Sequence, residues 1–132
     1  MEDADLIKQA IESTKKARVL GTDKLGYVGA ALISDKNNVF TGVSLDCYCG
    51  IGFCAEHSAI AEMVKNGETR IRKIVAATFD GTVLPPCGRC RELMFQLNKE
   101  NLDTGVIVSK DKKAKLRELL PYPWQERIDV SF

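Results

Sequence analysis

The sequence predicts an α/β fold in which helices pack on both faces of a mixed β-sheet. Apolar residues recur at helical spacing in three long segments, and short strand-like runs lie between them. The first two strand-like runs form a hairpin and the later ones alternate with helices, a pattern typical of a mixed sheet. The 132 residues, 45% of them hydrophobic, suit a single domain over residues 1–132.

The first half of the chain predicts one helix and the hairpin. Apolar residues spaced three, four or seven apart predict a helix from Leu6 to near Gly21, with acidic residues leading and basic residues near its end, as the helix dipole favours. Strands are predicted at residues 27–34 and 39–45. The turn-favouring residues 35–38 join them.

The second half alternates helix and strand. A helix is predicted to stop at Gly67, which favours a left-handed cap, and Pro85-Pro86 precedes the next helix. The predicted elements are a helix over residues 54–66, a strand over 73–79, a helix over 87–99, a strand over 106–109 and a final helical turn over 115–120. The order is therefore αββαβαβα, with an extended exit through the prolines at 121 and 123.

Charge and composition narrow the class of partner. Lys and Arg number 19 against 18 Asp and Glu, so the formal charge is +1 and gives no strong attraction to nucleic acid or to an acidic membrane. The first residues are acidic, unlike a secretory signal, and no apolar run reaches the roughly 20 residues of a membrane span. We expect a cytoplasmic protein with a small-molecule partner and with its five cysteines reduced.

The strongest chemical signal is a split cysteine motif. Cys54-Ala55-Glu56 is followed by Pro86-Cys87-Gly88-Arg89-Cys90, and each half opens a predicted helix. Two cysteines three residues apart can direct their sulfurs into one pocket, and a third from the other helix completes three sides of a tetrahedron around zinc. The sequence predicts that Cys54, Cys87 and Cys90 hold one Zn²⁺ and leave its fourth position to water.

Other residues could close that fourth position and make the site structural. Cys47, Cys49 and His57 are the candidates. His57 lies three residues after Cys54, about 60° around the predicted helix, so it can approach the thiolates more easily than complete the shell. Three thiolates leave the centre with a charge of about −1. We expect helix N-termini, with hydrogen bonds from Arg91 or His57, to offset that charge.

Glu56 is the candidate catalytic residue. It lies two residues after the first ligand and can reach a bound water without coordinating the metal. We expect it to take a proton from the water that attacks an amidine-like ring carbon, and to pass it to the ring nitrogen and the leaving ammonia. The alternative is an exposed glutamate in the first turn, favoured there by the helix dipole.

These motifs resemble the signature of the cytidine deaminase superfamily. Three further stretches are similar to its small free-nucleoside branch: Val28-Gly29-Ala30-Ala31-Leu32, Thr41-Gly42-Val43 and Leu119-Leu120-Pro121. The resemblance implies a three-layer α/β/α fold with a five-stranded mixed sheet. It also implies a homotetramer with active sites at subunit borders, and hydrolysis of cytidine or deoxycytidine to the uridine product.

The resemblance also assigns candidate substrate-binding residues. Ser44 and Asp46 stand where this branch has an Asn-x-Glu pair that holds the ribose hydroxyls, although their side chains are shorter. Asp46 is also an ordinary residue for the end of a strand. Ala55 and Trp124 complete the candidates. Trp124 either covers the pocket of a neighbouring subunit or packs on the core of its own chain.

Two departures bear on the identity of the substrate. Gly26 replaces an aromatic residue that packs near the base, and neighbouring Tyr27 is a possible substitute; His57 replaces an arginine. The related blasticidin S deaminases share the run Cys87-Gly88-Arg89-Cys90-Arg91 and a Leu-Leu-Pro ending followed by an aromatic residue. The runner-up function is therefore deamination of another free amino-heterocycle, such as blasticidin S.

Two further classes of function remain as alternatives. An editing deaminase on RNA or DNA would need to bind a flipped base and its flanking phosphates. The basic residues between 110 and 117 are interrupted by acidic ones and lack interleaved aromatics, so we expect a solvated face rather than a nucleic-acid site. The other class keeps zinc for structure alone.

Overall fold

The computed structural model describes residues 1–127. Its helices are α1 (Asp3–Ser13), α2 (Lys15–Arg18), α3 (Ala55–Lys65), α4 (Gly88–Leu97) and α5 (Leu116–Leu119). Its strands are β1 (Leu25–Ser34), β2 (Val39–Leu45), β3 (Ile71–Thr78), β4 (Val83–Leu84), β5 (Gly105–Ser109) and β6 (Lys112–Lys115). Short 3₁₀ turns cover Lys99–Asp103 and Trp124–Arg127. No helix in the described part of the chain is long and apolar enough to cross a membrane.

The sheet is mixed, as predicted. Its strands follow the order β2-β1-β3-β5-β6, and the two-residue strand β4 pairs with β3 outside this path. The β3–β5 pair is parallel and the other pairs are antiparallel. The five-stranded path confirms the expected architecture, and β4 is an addition because a two-residue strand has no periodicity to detect.

Helices cover both faces of the sheet and confirm the three layers. Helix α1 packs on one face, where the core cluster consists of Leu6, Ala10, Ala31, Ile33, Val75, Ala77 and Ile107. Helices α3 and α4 and the C-terminal turn pack on the other face. That core cluster consists of Ala30, Leu32, Phe40, Ala55, Ala59, Ile60, Met63, Ile71, Ile74, Ala76, Met94, Val106 and Leu116.

Two elements differ from the sequence-based prediction. The first helix ends earlier, since α1 stops at Ser13 and the buried Thr14 donates its hydroxyl to the Ile11 carbonyl at 2.7 Å before the short α2 begins. The basic run predicted as a solvated face forms edge strand β6. Its lysines are exposed, and exposed lysines on an edge strand oppose pairing with another chain.

A close approach between β2 and α3 positions the helix that carries the first half of the motif. A β-carbon on Gly42 would overlap the backbone nitrogen of Ala59 and the side chain of Ser58. Only glycine allows the helix to lie this close to the strand. The contact fixes the height of α3 above the sheet, and with it the position of the helix N-terminus.

The buried amide of Asn101 joins the end of α4 to the start of β3. Its Oδ1 accepts the backbone N–H of Ile71 at 2.8 Å, and its Nδ2 donates to the carbonyls of Thr69 at 2.9 Å and Met94 at 2.8 Å. Asn101 is fully buried, so water cannot replace these bonds. The side chain therefore satisfies three backbone groups that the fold brings together.

Replacing Asn101 is expected to destabilise the fold strongly. Asn101→Ala leaves three backbone groups without their partner, and we expect the free energy of unfolding to fall by about 2–4 kcal/mol. Urea denaturation followed by circular dichroism measures the loss. Asn66→Ala is the matched control, since its amide donates one exposed bond to the Glu62 carbonyl, and we expect a change below about 1 kcal/mol. Equal losses in the two variants would contradict the role of Asn101.

Candidate metal centre and active site

The three motif cysteines lie at the first turns of two helices. Cys54 is the N-cap of α3 and Cys87 is the N-cap of α4, both with extended backbone, and Cys90 lies in the first turn of α4. The N–H groups of a first turn have no partner inside the helix and carry partial positive charge. The partial positive charge of both helix N-termini therefore lies beside the sulfurs.

The three sulfurs form a triangle close to the size that zinc requires. Sγ of Cys87 lies 3.3 Å from Sγ of Cys54 and 3.5 Å from Sγ of Cys90. The sulfurs of Cys54 and Cys90 lie within 4.8 Å of each other. Tetrahedral zinc with Zn–S bonds of about 2.3 Å holds its thiolates about 3.8 Å apart. The donor set therefore fits a zinc ion.

His57 is a further donor beside this triangle. Its Nδ1 lies 3.4 Å from Sγ of Cys90, and the donor atoms of Cys54, His57 and Cys90 all lie within 4.8 Å of one another. The imidazole borders an apolar groove of about 630 Å³ between α3 and α4. Cys54 and Cys87 instead border the cavity that contains Glu56. His57 thus contacts the cluster from a different side than that cavity.

Three other contacts suggested by the sequence do not form among residues 1–127. Cys47 and Cys49, like Cys87, are outside the group of Cys54, His57 and Cys90 whose donor atoms all lie within 4.8 Å of one another. Unlike Cys87, neither contacts another cysteine sulfur, and Cys49 is exposed with a backbone φ of 63°. Arg91 does not bond to the sulfurs. Its guanidinium donates to the backbone carbonyls of Pro86 and Leu119.

The thiols differ in how readily they ionise. Burial raises the pKa of Cys54 to about 11 and also raises the pKa of Cys90. Burial acts in the same direction on Cys87, but the backbone N–H of Cys90, the neighbouring thiols and the N–H of Arg89 outweigh it, so the pKa of Cys87 is lowered. The first turn of α4 therefore stabilises a thiolate at Cys87, the form in which cysteine binds metals.

Glu56 is a buried carboxyl group beside the sulfurs. Only 5% of the residue is exposed, so it is not the exposed first-turn glutamate of the alternative interpretation. Burial raises its pKa, while a hydrogen bond from its own backbone N–H and one from Cys90 act in the opposite direction. A carboxyl group whose pKa lies closer to neutrality can accept and return a proton more readily.

A cavity of about 150 Å³ opens beside Glu56 and the sulfurs. It is lined by Val28, Ser44, Asp46, Cys54, Ala55, Glu56, Ala76, Leu84, Pro85 and Cys87. Ser44 is buried, and its Oγ accepts the backbone N–H of Val28 at 3.1 Å and lies 3.5 Å from Oδ2 of Asp46. Three of the four candidate substrate-binding residues, Ser44, Asp46 and Ala55, therefore meet at one cavity with Glu56.

Tyr27 does not replace the aromatic residue that is missing at Gly26. Successive side chains of a strand point to opposite faces, and Val28 faces the cavity. The Tyr27 ring packs edge-on against Phe79, with centroids 5.3 Å apart. Gly26 itself has a φ of 72°, and a β-carbon there would overlap Ala17. A larger side chain at this position would strain the backbone.

Two further observations concern the walls of the cavity. Trp124 is half exposed and is not among the residues that line it, so within its own chain it contributes nothing there. Leu84 and Pro85 do line it, although neither was predicted as a site residue from the sequence. The prolines at 85 and 86 are the signal that could have indicated this. They keep the backbone extended directly before Cys87, so the residues there lie beside the sulfur.

Comparison with known proteins places the chain in a family. The model of the cytidine and deoxycytidylate deaminase zinc-binding region matches residues 1–106. The chain is 30% identical over 129 residues to a blasticidin-S deaminase of Bacillus cereus, covering 91% of this chain and 90% of that protein. It is 31% identical over 124 residues to a cytidine deaminase of Halalkalibacterium halodurans, covering 92% of each.

Solved structures agree with the sequence comparisons. The cytidine deaminase of Mycobacterium tuberculosis superposes with a TM-score of 0.78 at 25% identity, covering 94% of this chain and 98% of that one. The cytidine deaminase of Burkholderia pseudomallei superposes with a TM-score of 0.73 at 26% identity, covering 92% and 98%. With the converging donor atoms of Cys54, His57 and Cys90 and the family match together, the chain belongs to the cytidine and deoxycytidylate deaminase family of zinc-dependent deaminases.

Proposed function

We propose that this chain, acting as one deaminase domain, hydrolyses a free cytidine- or deoxycytidine-like nucleoside and releases ammonia. Cys54, Cys87 and Cys90 hold the zinc ion, and Glu56 carries the protons. One observation carries the proposal: the buried carboxyl group of Glu56 shares a small cavity with the sulfurs of Cys54 and Cys87 at the meeting point of two helix N-termini.

The protein groups divide the chemistry between them. Zinc held by three thiolates supplies a Lewis acid that makes water nucleophilic near neutral pH. Glu56 accepts a proton from the attacking water and donates it to the ring nitrogen. It then takes a second proton from the hydroxyl group now on the ring carbon and donates it to the amine, which leaves as ammonia while the carbonyl forms. The raised pKa of this carboxyl group supports both steps, because the group must be ionised for the first and protonated for the second.

The cavity supports a substrate whose reacting part is one small ring. Its volume of about 150 Å³ is below the roughly 300–1,000 Å³ of pockets that hold drug-sized ligands. Val28, Ala76 and Leu84 offer apolar contacts to the faces of a ring. Asp46 is exposed beside the buried Ser44, so its carboxylate accepts hydrogen bonds from sugar hydroxyls at the mouth.

A second substrate is favoured by a specific observation. The relative in Bacillus cereus is a blasticidin-S deaminase that matches nearly the whole chain. Ser44 is already bonded to the backbone N–H of Val28, and the side chain of Asp46 is short, so the chain offers a ribose fewer contacts than the Asn-x-Glu pair would. Deamination of blasticidin S or a similar free amino-heterocycle is therefore the alternative function.

The distribution of charge supports a small free substrate over a polynucleotide. The basic residues of β6 lie at the opposite edge of the sheet from β2, which borders the cavity. Lys113 is paired with Asp3, and Arg117 is paired with Asp103. All five cysteines are free thiols, which supports a cytoplasmic location.

The oligomeric state of the protein can be tested separately. We propose a homotetramer, and the apolar groove between α3 and α4, with the exposed Val64 and the half-exposed Trp124, supports burial against a second copy. Size-exclusion chromatography with light scattering is expected to give four times the 14.6 kDa mass of the chain. A monomeric mass at micromolar concentration would contradict the proposal.

A substrate panel tests the function directly. We expect the zinc-loaded protein to release ammonia from cytidine and deoxycytidine and to leave single-stranded DNA and RNA unreacted. The change in ultraviolet absorbance measures turnover. Turnover of blasticidin S without turnover of either nucleoside would assign the alternative function. Turnover of none of these compounds would contradict both.

Glu56→Gln is the matched control for that panel. The amide has nearly the same shape but cannot carry a proton, so we expect turnover to fall by about 10²-fold to 10⁴-fold, with folding and zinc content unchanged. Zinc content is measured by atomic absorption. Unchanged turnover in Glu56→Gln would contradict the role of Glu56 and would favour a structural metal site.

The choice of ligands makes a separate prediction. We expect Cys87→Ser to lose zinc, because Sγ of Cys87 lies between the other two sulfurs, and His57→Ala to keep one zinc per chain. Atomic absorption after dialysis measures both. Loss of zinc from His57→Ala, with retention in Cys87→Ser, would instead assign the ligands as Cys54, His57 and Cys90.

A further inference from the structure

Arg91 makes two hydrogen bonds that enclose the second half of the cysteine motif. Its Nε donates to the carbonyl of Pro86 at 2.9 Å, and its Nη1 donates to the carbonyl of Leu119 at 3.1 Å. Pro86 directly precedes Cys87, and Arg91 directly follows Cys90. Both cysteines therefore lie inside a loop that the Arg91 side chain closes.

The backbone closes the same loop. The N–H of Arg91 donates to the carbonyl of Cys87 at 3.1 Å, which forms the first helical bond of α4. The side-chain bond to Pro86 extends this constraint to the residue before the N-cap. Together the two bonds limit rotation of the backbone at Cys87, and hence movement of its sulfur relative to that of Cys90, which lies 3.5 Å away.

The second bond of the guanidinium reaches the C-terminal part of the chain. Leu119 is the last residue of α5. The residue that would continue the helix by bonding to its carbonyl is Pro123, which has no N–H. The Leu119 carbonyl is therefore free to accept from Arg91. Helix α5 is held in place independently by Leu116, which is fully buried in the core below α3 and α4.

We propose that Arg91 is a positioning residue that fixes the spacing of Cys87 and Cys90 by tying their turn to the docked C-terminal helix α5. The inference rests on the ligand set of the proposed function. Arg91 touches neither the substrate cavity nor the sulfurs, so it acts through the backbone at Pro86. The metal affinity of the site then depends on the docking of a segment about 30 residues away in sequence.

The two separate N–H donors of the guanidinium are the feature that a substitution can test. Its separate N–H groups bond to two carbonyls at once, whereas the single ammonium of lysine has the charge without the fixed fork. Arg91→Lys therefore keeps the charge and loses the simultaneous bridge. Arg91→Ala loses both.

Metal affinity measured without substrate is the experiment. Zinc is titrated into each full-length variant against a chromogenic chelator, and Co²⁺-loaded samples report thiolate ligation through the charge-transfer band in the near ultraviolet. We expect zinc affinity to fall by about 10-fold to 100-fold in Arg91→Ala, with a weaker cobalt band, and by an intermediate factor in Arg91→Lys. Arg117→Ala is the matched control, because it removes an exposed arginine from α5 that pairs with Asp103, and its affinity is expected to match the wild type.

Each outcome bears on the proposal. The proposal would be overturned if Arg91→Lys kept the zinc affinity and the cobalt band of the wild type. The same result in a folded Arg91→Ala variant would also overturn it. An equal loss of affinity in Arg117→Ala would also overturn it, since the effect would then follow general destabilisation of α5. No nucleoside is present in the assay. The result is therefore independent of whether the protein deaminates the proposed substrate. Cys87→Ser in the same titration tests the ligand set separately.

Discussion

Three cysteine sulfurs approach within bonding range of one metal ion because two helices begin at the same point above the sheet. Without compensation, thiolates this close would repel one another, and burial opposes their ionisation, as the raised pKa values of Cys54 and Cys90 reflect. The first-turn N–H groups of α4 reverse that effect at Cys87. A dication held by these sulfurs would supply the remaining compensation, which links metal binding to the proposed chemistry beside it.

The rest of the fold holds those two helix starts in place. Gly42 lets α3 lie against β2 closely enough to place Cys54 and Glu56 beside the strand ends. Helix α4 is held at its C-terminal end by the Asn101 amide and at its first turn by Arg91. Asn101 also bonds to Thr69 and Ile71, and Arg91 also bonds to Leu119, which are distant in the chain. The geometry of the centre therefore depends on tertiary packing.

Much of the fold followed from periodicity and turn residues. The hairpin of β1 and β2 and the helices α3 and α4 were predicted close to their observed bounds, because their apolar faces repeat at regular spacing. The predictions were weaker where a tertiary strand pairing or a single side-chain hydrogen bond, rather than apolar periodicity, decides the structure. Lysine-rich β6 has low strand propensity and forms because β5 is available beside it, and the break of the first helix at Thr14 depends on a local side-chain bond.

The sequence by itself determined the reaction class, since each half of the motif, Cys54 with Glu56 and Cys87 with Cys90, is a local property of one helix start. Only the tertiary structure decided the positions of the surrounding residues. It buried Glu56, turned Tyr27 to the far face of the sheet, set His57 beside Cys90 and directed Arg91 to two carbonyls. The physical reason is that a motif fixes which donors lie close in the chain, whereas burial, facing and hydrogen-bond partners arise when distant segments pack.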